Sequence, residues 1–106
     1  MQFLDHLPDW LVACFRIALL GEIYINIRAI AVGYDGERHV VIRYYLDREP
    51  TAFDLESIEI VAVNFDALGG KEQEIDRIDV ECICSTSAKS DLEPLSGFMY
   101  SRRENS

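Results

Sequence analysis

Basic side chains are scarce in this chain of 106 residues, which has 10 lysine and arginine residues against 19 aspartate and glutamate residues. The formal net charge is −9. An acidic surface repels phosphates, so neither nucleic acid nor an anionic membrane is expected as a direct partner. A basic partner fits the charge better, although the acidity could also serve only to keep the protein soluble.

A membrane-spanning run and a cysteine framework are also missing. The longest apolar run, residues 10–20, is interrupted by Arg16 and is too short to cross a bilayer. The first residues include no basic region, so we expect no signal peptide. The three cysteines, Cys14, Cys82 and Cys84, are an odd number without framework spacing. Reduced thiols in a cytoplasmic compartment are therefore expected.

No catalytic motif stands out. Neither of the two histidines, His6 and His39, has a set of cysteine, aspartate and histidine residues around it in the sequence. Cys82 and Cys84 would share one face of a strand, but a zinc site needs two further ligands, so we interpret them as core thiols. Acid–base catalysis would require carboxylates from distant positions to converge in a cleft. We predict a protein that is not an enzyme, with no cofactor and no metal.

The first half of the chain predicts a helix followed by a β-hairpin. Residues 9–20 have apolar side chains at helical spacing, which indicates a mostly buried helix, and Gly21 is a natural end. From Glu22 to Asp47 the apolar period is two, on both sides of the turn signal Asp35-Gly36. We therefore expect a hairpin over residues 22–47.

The second half predicts another helix and two more strands. Thr51 and Asp54 have capping-box spacing at the start of a helix over residues 53–68, although residues 58–62 also alternate. Two strands and a frayed tail follow, at residues 78–84, 98–100 and 102–106. We expect one domain over residues 1–106 with the α+β order α-β-β-α-β-β. Its four-stranded antiparallel sheet would form one layer, with both helices on one face.

The negative charge is concentrated around the second helix. Residues 47–81 contain eleven acidic and three basic side chains, a net charge of −8. If Ile58 and Phe65 face the core, an apolar centre with a charged rim remains outside, as in protein interfaces. The predicted partner-binding residues are Glu56, Glu59, Ile60, Val63, Asp66, Asp79 and Glu81. The alternatives are that loops or the tail cover this face, or that it forms a homodimer.

Several stretches carry a resemblance to a known group: Gly21 to Tyr24, Ile27 to Val32, Ile42 to Pro50, Asp54 to Phe65 and the region around Cys82. They resemble immunity proteins of contact-dependent growth-inhibition toxins and related polymorphic toxins. The resemblance extends over about residues 16–103. It implies a cytoplasmic protein that binds one cognate toxin domain, often an RNase acting on tRNA, and blocks its active site. It assigns no binding residues.

We therefore predict an immunity protein that occludes the basic active site of a nuclease toxin. The acidic charge agrees with this role because nuclease toxins tend to have basic clefts. A different class remains open: a small dimerising regulatory or structural module without a toxin partner. A small hydrolase that uses scattered carboxylates is the third possibility.

Overall fold

The computed structural model describes residues 2–70 and 72–104. Its elements are α1 (Asp9–Ala18), β1 (Ile27–Tyr34), β2 (His39–Leu46), α2 (Ala52–Phe65), β3 (Arg77–Cys84) and β4 (Gly97–Ser101). A π-helical turn, Asp66–Gly70, continues α2, and a short 3-10 turn, Lys89–Asp91, precedes β4. The predicted α+β class and element order are confirmed. Neither helix in the described part of the chain has the length and apolarity that crossing a bilayer requires.

The helix α1 begins after Pro8, and Asp9 in its first turn complements the positive helix end. Its buried side is formed by Leu11, Phe15 and Ala18. The expectation of a mostly buried helix was wrong on the opposite side, where Ile17 and Leu20 are 55% and 73% exposed. Apolar residues at these positions make the apolar stripe on the helix wider than the part of the helix that packs against the core.

The strand β1 begins at Ile27, five residues later than expected. Residues 22–26 form a turn, in which the Ile27 amide donates to the Tyr24 carbonyl. Ile23 and Ile25 are exposed on this turn, although their alternation with Tyr24 is typical of a strand. The Tyr24 hydroxyl donates a hydrogen bond to Asp54 of α2, and this long-range contact directs the segment toward the helix.

The sheet has the strand order β3-β2-β1-β4 and is mixed. The strand β1 runs antiparallel to β2 and to β4, whereas β3 runs parallel to β2. The expectation of a wholly antiparallel sheet was wrong for this one pair. The reason is the helix between them: a chain that crosses the sheet as a helix returns to the starting end, so the next strand runs in the same direction.

Both helices lie on one face of the sheet, as predicted, and the main core lies between the layers. The rings of Phe15 and Phe65 stack there at a centroid distance of 4.4 Å, and both side chains are fully buried. Loop residues cover part of the other face, where Leu92 packs with Ala29, Ala31 and Tyr45.

The C-terminal tail is anchored by an ion pair between Glu104 and a buried arginine, so the frayed tail expected from residue 102 onward was wrong for residues 102–104. Residues 105 and 106 lie outside the described part. Arg28, which is 7% exposed, binds Glu104 through two hydrogen bonds of 2.7 and 2.9 Å. It also donates to the carbonyls of Ser85 and Ser87. The hydrogen bond from Arg28 is the main cause that lowers the pKa of Glu104 to about 2.

Replacing Glu104 tests the role of this ion pair. The change Glu104→Gln should lower the free energy of unfolding by about 3 kcal/mol at pH 7, because it leaves a buried guanidinium without its carboxylate. The folded-state pKa of Glu104 is depressed, so its contribution is complete above the unfolded value of 4.5 and is lost as the pH falls toward about 2.

Urea unfolding at pH 7 and at pH 3 measures both effects. The matched control is Glu49→Gln, which removes the same charge from an exposed side chain and should change stability by less than about 0.5 kcal/mol. Equal stabilities of the two variants at pH 7 would contradict the structural role of Glu104.

Candidate partner-binding surface

The solvent side of α2 presents large apolar side chains next to carboxylates. Phe53, Ile60 and Val63 are 60%, 41% and 67% exposed. Their spacing of seven and three residues places them on one face of the helix, together with Glu56 and Glu59. We call these five residues the α2 outer face. The residues of α2 include no lysine or arginine, so no positive side chain of the helix neutralises this face.

The α2 outer face contains a shallow, open depression of about 310 Å³. Its lining includes four of the seven residues predicted from the sequence and one polar residue that was not predicted: Glu56, Glu59, Ile60, Val63 and Asn64. Asp66 lies half-buried in the π-helical turn that follows the helix. Five of the predicted residues therefore belong to α2 or its continuation.

The other two predicted residues, Asp79 and Glu81, point to the opposite face of the sheet. Val80, which lies between them on β3, packs against the core beneath the helices, and side chains alternate along a strand. The structure therefore does not bring Asp79 and Glu81 onto the α2 outer face. Their role in partner binding stays a prediction.

Asp79 and Glu81 are paired with cationic or ionisable neighbours. Asp79 forms a hydrogen bond with His39 Nε2 at 2.6 Å and an ion pair with Arg77 Nε at 3.0 Å. Glu81 accepts a hydrogen bond from Arg43 at 3.1 Å. The side chains of both acids are still 44% and 39% exposed, so each can meet a further partner.

A buried carboxylate fixes the start of α2. Asp54 is fully buried and accepts hydrogen bonds from the guanidinium of Arg48 at 2.6 and 3.1 Å, the amide of Thr51 at 2.7 Å, and the hydroxyl of Tyr24. Burial alone would raise the pKa of Asp54, but hydrogen bonds from Arg48, Tyr24 and Thr51 outweigh it and hold the pKa below its usual range. Asp54, which the sequence indicated as part of a helix cap, is therefore also one partner of a structural ion pair.

Sequence reasoning missed Phe53 as a surface residue and Arg48 as the partner of Asp54. A signal existed for Phe53, since it lies seven residues before Ile60 and so shares its helix face. The pairing of Arg48 with Asp54 had only a weak signal, because the five residues between them include an irregular segment whose geometry the sequence does not determine.

The geometry of the possible catalytic groups is unfavourable for nucleophilic chemistry. Burial raises the pKa of the Cys82 thiol to about 11, which keeps it protonated at neutral pH. Among residues 2–70 and 72–104, no three histidine, cysteine or acidic side chains are grouped so that they could hold a metal ion. His39 contacts Asp79, and the second contact of Asp79 is an ion pair with Arg77. Within the described part of the chain, the contacts of this pair therefore include no nucleophile.

These features define a binding protein whose exposed helix combines apolar and acidic side chains. The chain belongs to the MafI2 immunity protein family, whose model matches residues 8–104. No curated protein matches the chain. The class expected from the resemblance, an immunity protein of a polymorphic toxin system, is thereby confirmed. Family membership indicates a toxin-neutralising protein that acts on a cognate toxin partner and suggests an inhibitor that is not an enzyme.

The structural carboxylate of α2 can be distinguished from the surface carboxylates by neutralising them separately. Asp54→Asn should lower the free energy of unfolding by about 3 kcal/mol, because Arg48 and Tyr24 lose a buried charged acceptor. Glu56→Gln, on the exposed side of the same helix, should change it by less than about 0.5 kcal/mol. Thermal and urea unfolding of both variants measure the difference, and similar losses would contradict this division of roles.

Proposed function

We propose that this protein neutralises a basic nuclease toxin by covering the toxin's active site with the α2 outer face. The observation that carries the proposal is the composition of this face: Glu56 and Glu59 surround Ile60 and Val63, and the residues of α2 include no basic side chain. An apolar centre with a polar rim is the usual anatomy of a protein interface. The toxin-neutralising role of the family supplies the partner.

A nuclease is the class of toxin that this charge fits. Enzymes that bind nucleic acid hold the phosphate backbone with lysine and arginine side chains. Carboxylates presented on a rigid helix can occupy the same positions and exclude the substrate. A tRNA-cleaving enzyme is the expected type. The family match favours a Maf toxin system, which is distinct from contact-dependent growth inhibition.

We further propose that the protein acts in the cytoplasm, where a tRNA-cleaving toxin meets its substrate. Three free, partly buried cysteines support this location, because a reducing compartment keeps thiols unpaired. Binding would be stoichiometric, with the acidic rim accelerating encounter and the apolar centre slowing dissociation.

A homodimer through the same face is the competing proposal, since Phe53, Ile60 and Val63 could pack against a second copy. A symmetric dimer would also bring Glu56 and Glu59 of both copies close together. Like charges that meet at an interface are unfavourable, so the composition of the rim favours a basic partner over a second copy.

Charge reversal tests the acidic rim. The combined change of Glu56, Glu59 and Asp66 to lysine should weaken binding to the adjacently encoded toxin domain by roughly 100-fold and flatten its salt dependence. Titration calorimetry at two salt concentrations measures both. The control is the same reversal at exposed acids away from α2: Asp5, Glu37 and Glu93. An unchanged affinity of the α2 variant would contradict the proposal that the toxin binds the acidic rim of α2.

Truncation of the apolar centre should produce a different kinetic effect. Ile60→Ala with Val63→Ala should increase the dissociation rate by roughly tenfold or more and leave the association rate within about twofold, because short-range packing acts after encounter. Surface plasmon resonance separates the two rates. The matched control, Ile17→Ala with Leu20→Ala, removes exposed side chains of α1 and of the turn that follows it, and should leave both rates unchanged. An equal effect of the two double variants would contradict a specific role of the α2 outer face.

A further inference from the structure

The strand β3 is a long, regular edge of the sheet, and its charged side chains are those of Arg77, Asp79 and Glu81. It has eight residues, contains neither proline nor glycine, and pairs with β2 in an unshifted register. No described residue pairs with its outer edge. The other edge strand, β4, has only five residues and a shifted register against β1. Long, regular edges are open to pairing with another chain, and proteins usually protect them.

The backbone groups on the outer edge of β3 can be identified. The amides of Arg77 and Ser85 both point toward the β2 side: Arg77 donates to the carbonyl of Arg38, which directly precedes β2, and Ser85 donates to the carbonyl of Leu46. Successive residues of a strand direct their N–H and C=O groups to alternate sides, so every second residue faces outward. The outward residues are Ile78, Val80, Cys82 and Cys84, and their side chains are only partly buried.

One flank of α2 lies beside this edge. On the other flank Ser57 contacts Glu22, in the segment that connects α1 to β1, and α1 packs against α2. The helix α2 lies over β3, and α1 lies nearer to β4. The flank of α2 that does not face α1 therefore points outward past β3. A helical projection places Leu55, Glu59 and Asp66 on that flank.

A strand added to β3 would meet carboxylates on both of its faces. Glu59 and Asp66 lie on the helix side, whereas Asp79 and Glu81 lie on the opposite side of the sheet, each more than one-third exposed at the side chain. Side chains of neighbouring strands that share a face interact directly, so basic residues on the added strand would be favoured. A second copy of this chain, paired through the same edge, would instead bring Glu59 and Asp66 of the two α2 helices toward each other on the helix side.

We propose that the cognate toxin adds a basic strand to the outer edge of β3, beneath the acidic flank of α2. The proposal rests on the proposed function, because it specifies how the same toxin is held. In this arrangement, Glu59 and Asp66 contact one face of the bound strand, and Asp79 and Glu81 contact its other face. The backbone hydrogen bonds would supply affinity, and the carboxylates would select a basic sequence.

Amide hydrogen exchange, followed by NMR, tests this proposal residue by residue. The probe is the toxin domain encoded next to this gene, in an inactive form, at saturating concentration. In the free protein the amides of Ile78, Val80, Cys82 and Cys84 should exchange rapidly, and complex formation should slow them at least tenfold. Asp79 and Glu81 amides, which face β2, should be protected in both states and serve as internal controls.

The outcomes separate the two proposals. A complex that is sensitive to charge reversal on α2 but leaves the outward amides of β3 unprotected would overturn strand addition alone. The absence of any complex would overturn the proposed function and strand addition together. Protection in the free protein, with a doubled solution mass, would overturn the proposal by assigning the edge to a second copy.

A backbone variant provides a second measurement. Val80→Pro removes one outward N–H, and Val80→Thr is the matched control, because it keeps the N–H and the branched shape. Provided that both variants show the wild-type circular dichroism spectrum, the proline variant should bind at least tenfold more weakly than the threonine variant. Equal affinities would overturn strand addition, and if the proline variant does not fold, the exchange experiment alone decides.

Discussion

The parallel pairing of β3 with β2 is the constraint on which the rest of the structure depends. Parallel neighbours require the chain to cross a face of the sheet between them, and α2 is that crossing. Because α2 lies over an edge strand rather than in the middle of a layer, it keeps one side exposed. The same pairing leaves β3 at the border of the sheet. The exposed side of α2 and the unpaired edge of β3 therefore both result from the parallel connection.

The charged residues divide into two groups with different physical roles. Asp54 is fully buried and Glu104 is partly buried, and they are held by Arg48 and Arg28, which connect the start of α2 and the C-terminal tail to the sheet. Isolated charges at such positions would be costly, so each is matched by a guanidinium. Among residues 2–70 and 72–104, no basic side chain holds Glu56 or Glu59 in a comparable ion pair. Their concentration on one helix is therefore the feature that requires a functional explanation.

Local signals in the sequence were sufficient for the element order, the turn at Asp35-Gly36 and the outward face of α2. Contacts between distant residues decided the rest. Arg28 and Glu104 are 76 residues apart, so no local pattern indicates an anchored tail. The direction of β3 depends on the crossover, and the start of β1 depends on Tyr24 reaching α2. Asp79 and Glu81 were correctly placed on a strand, but the face to which they point depends on that strand's position in the sheet.

The central claim is that this member of the MafI2 immunity protein family blocks its toxin by stoichiometric occlusion. The most direct test is a titration of the adjacently encoded toxin domain, at a concentration well above the dissociation constant, with a tRNA substrate. The account predicts that nuclease activity falls linearly with added protein, reaches zero at one immunity chain per toxin domain, and returns when high salt dissociates the complex. Complete inactivation at a small fraction of one equivalent, or undiminished activity at excess, would contradict it.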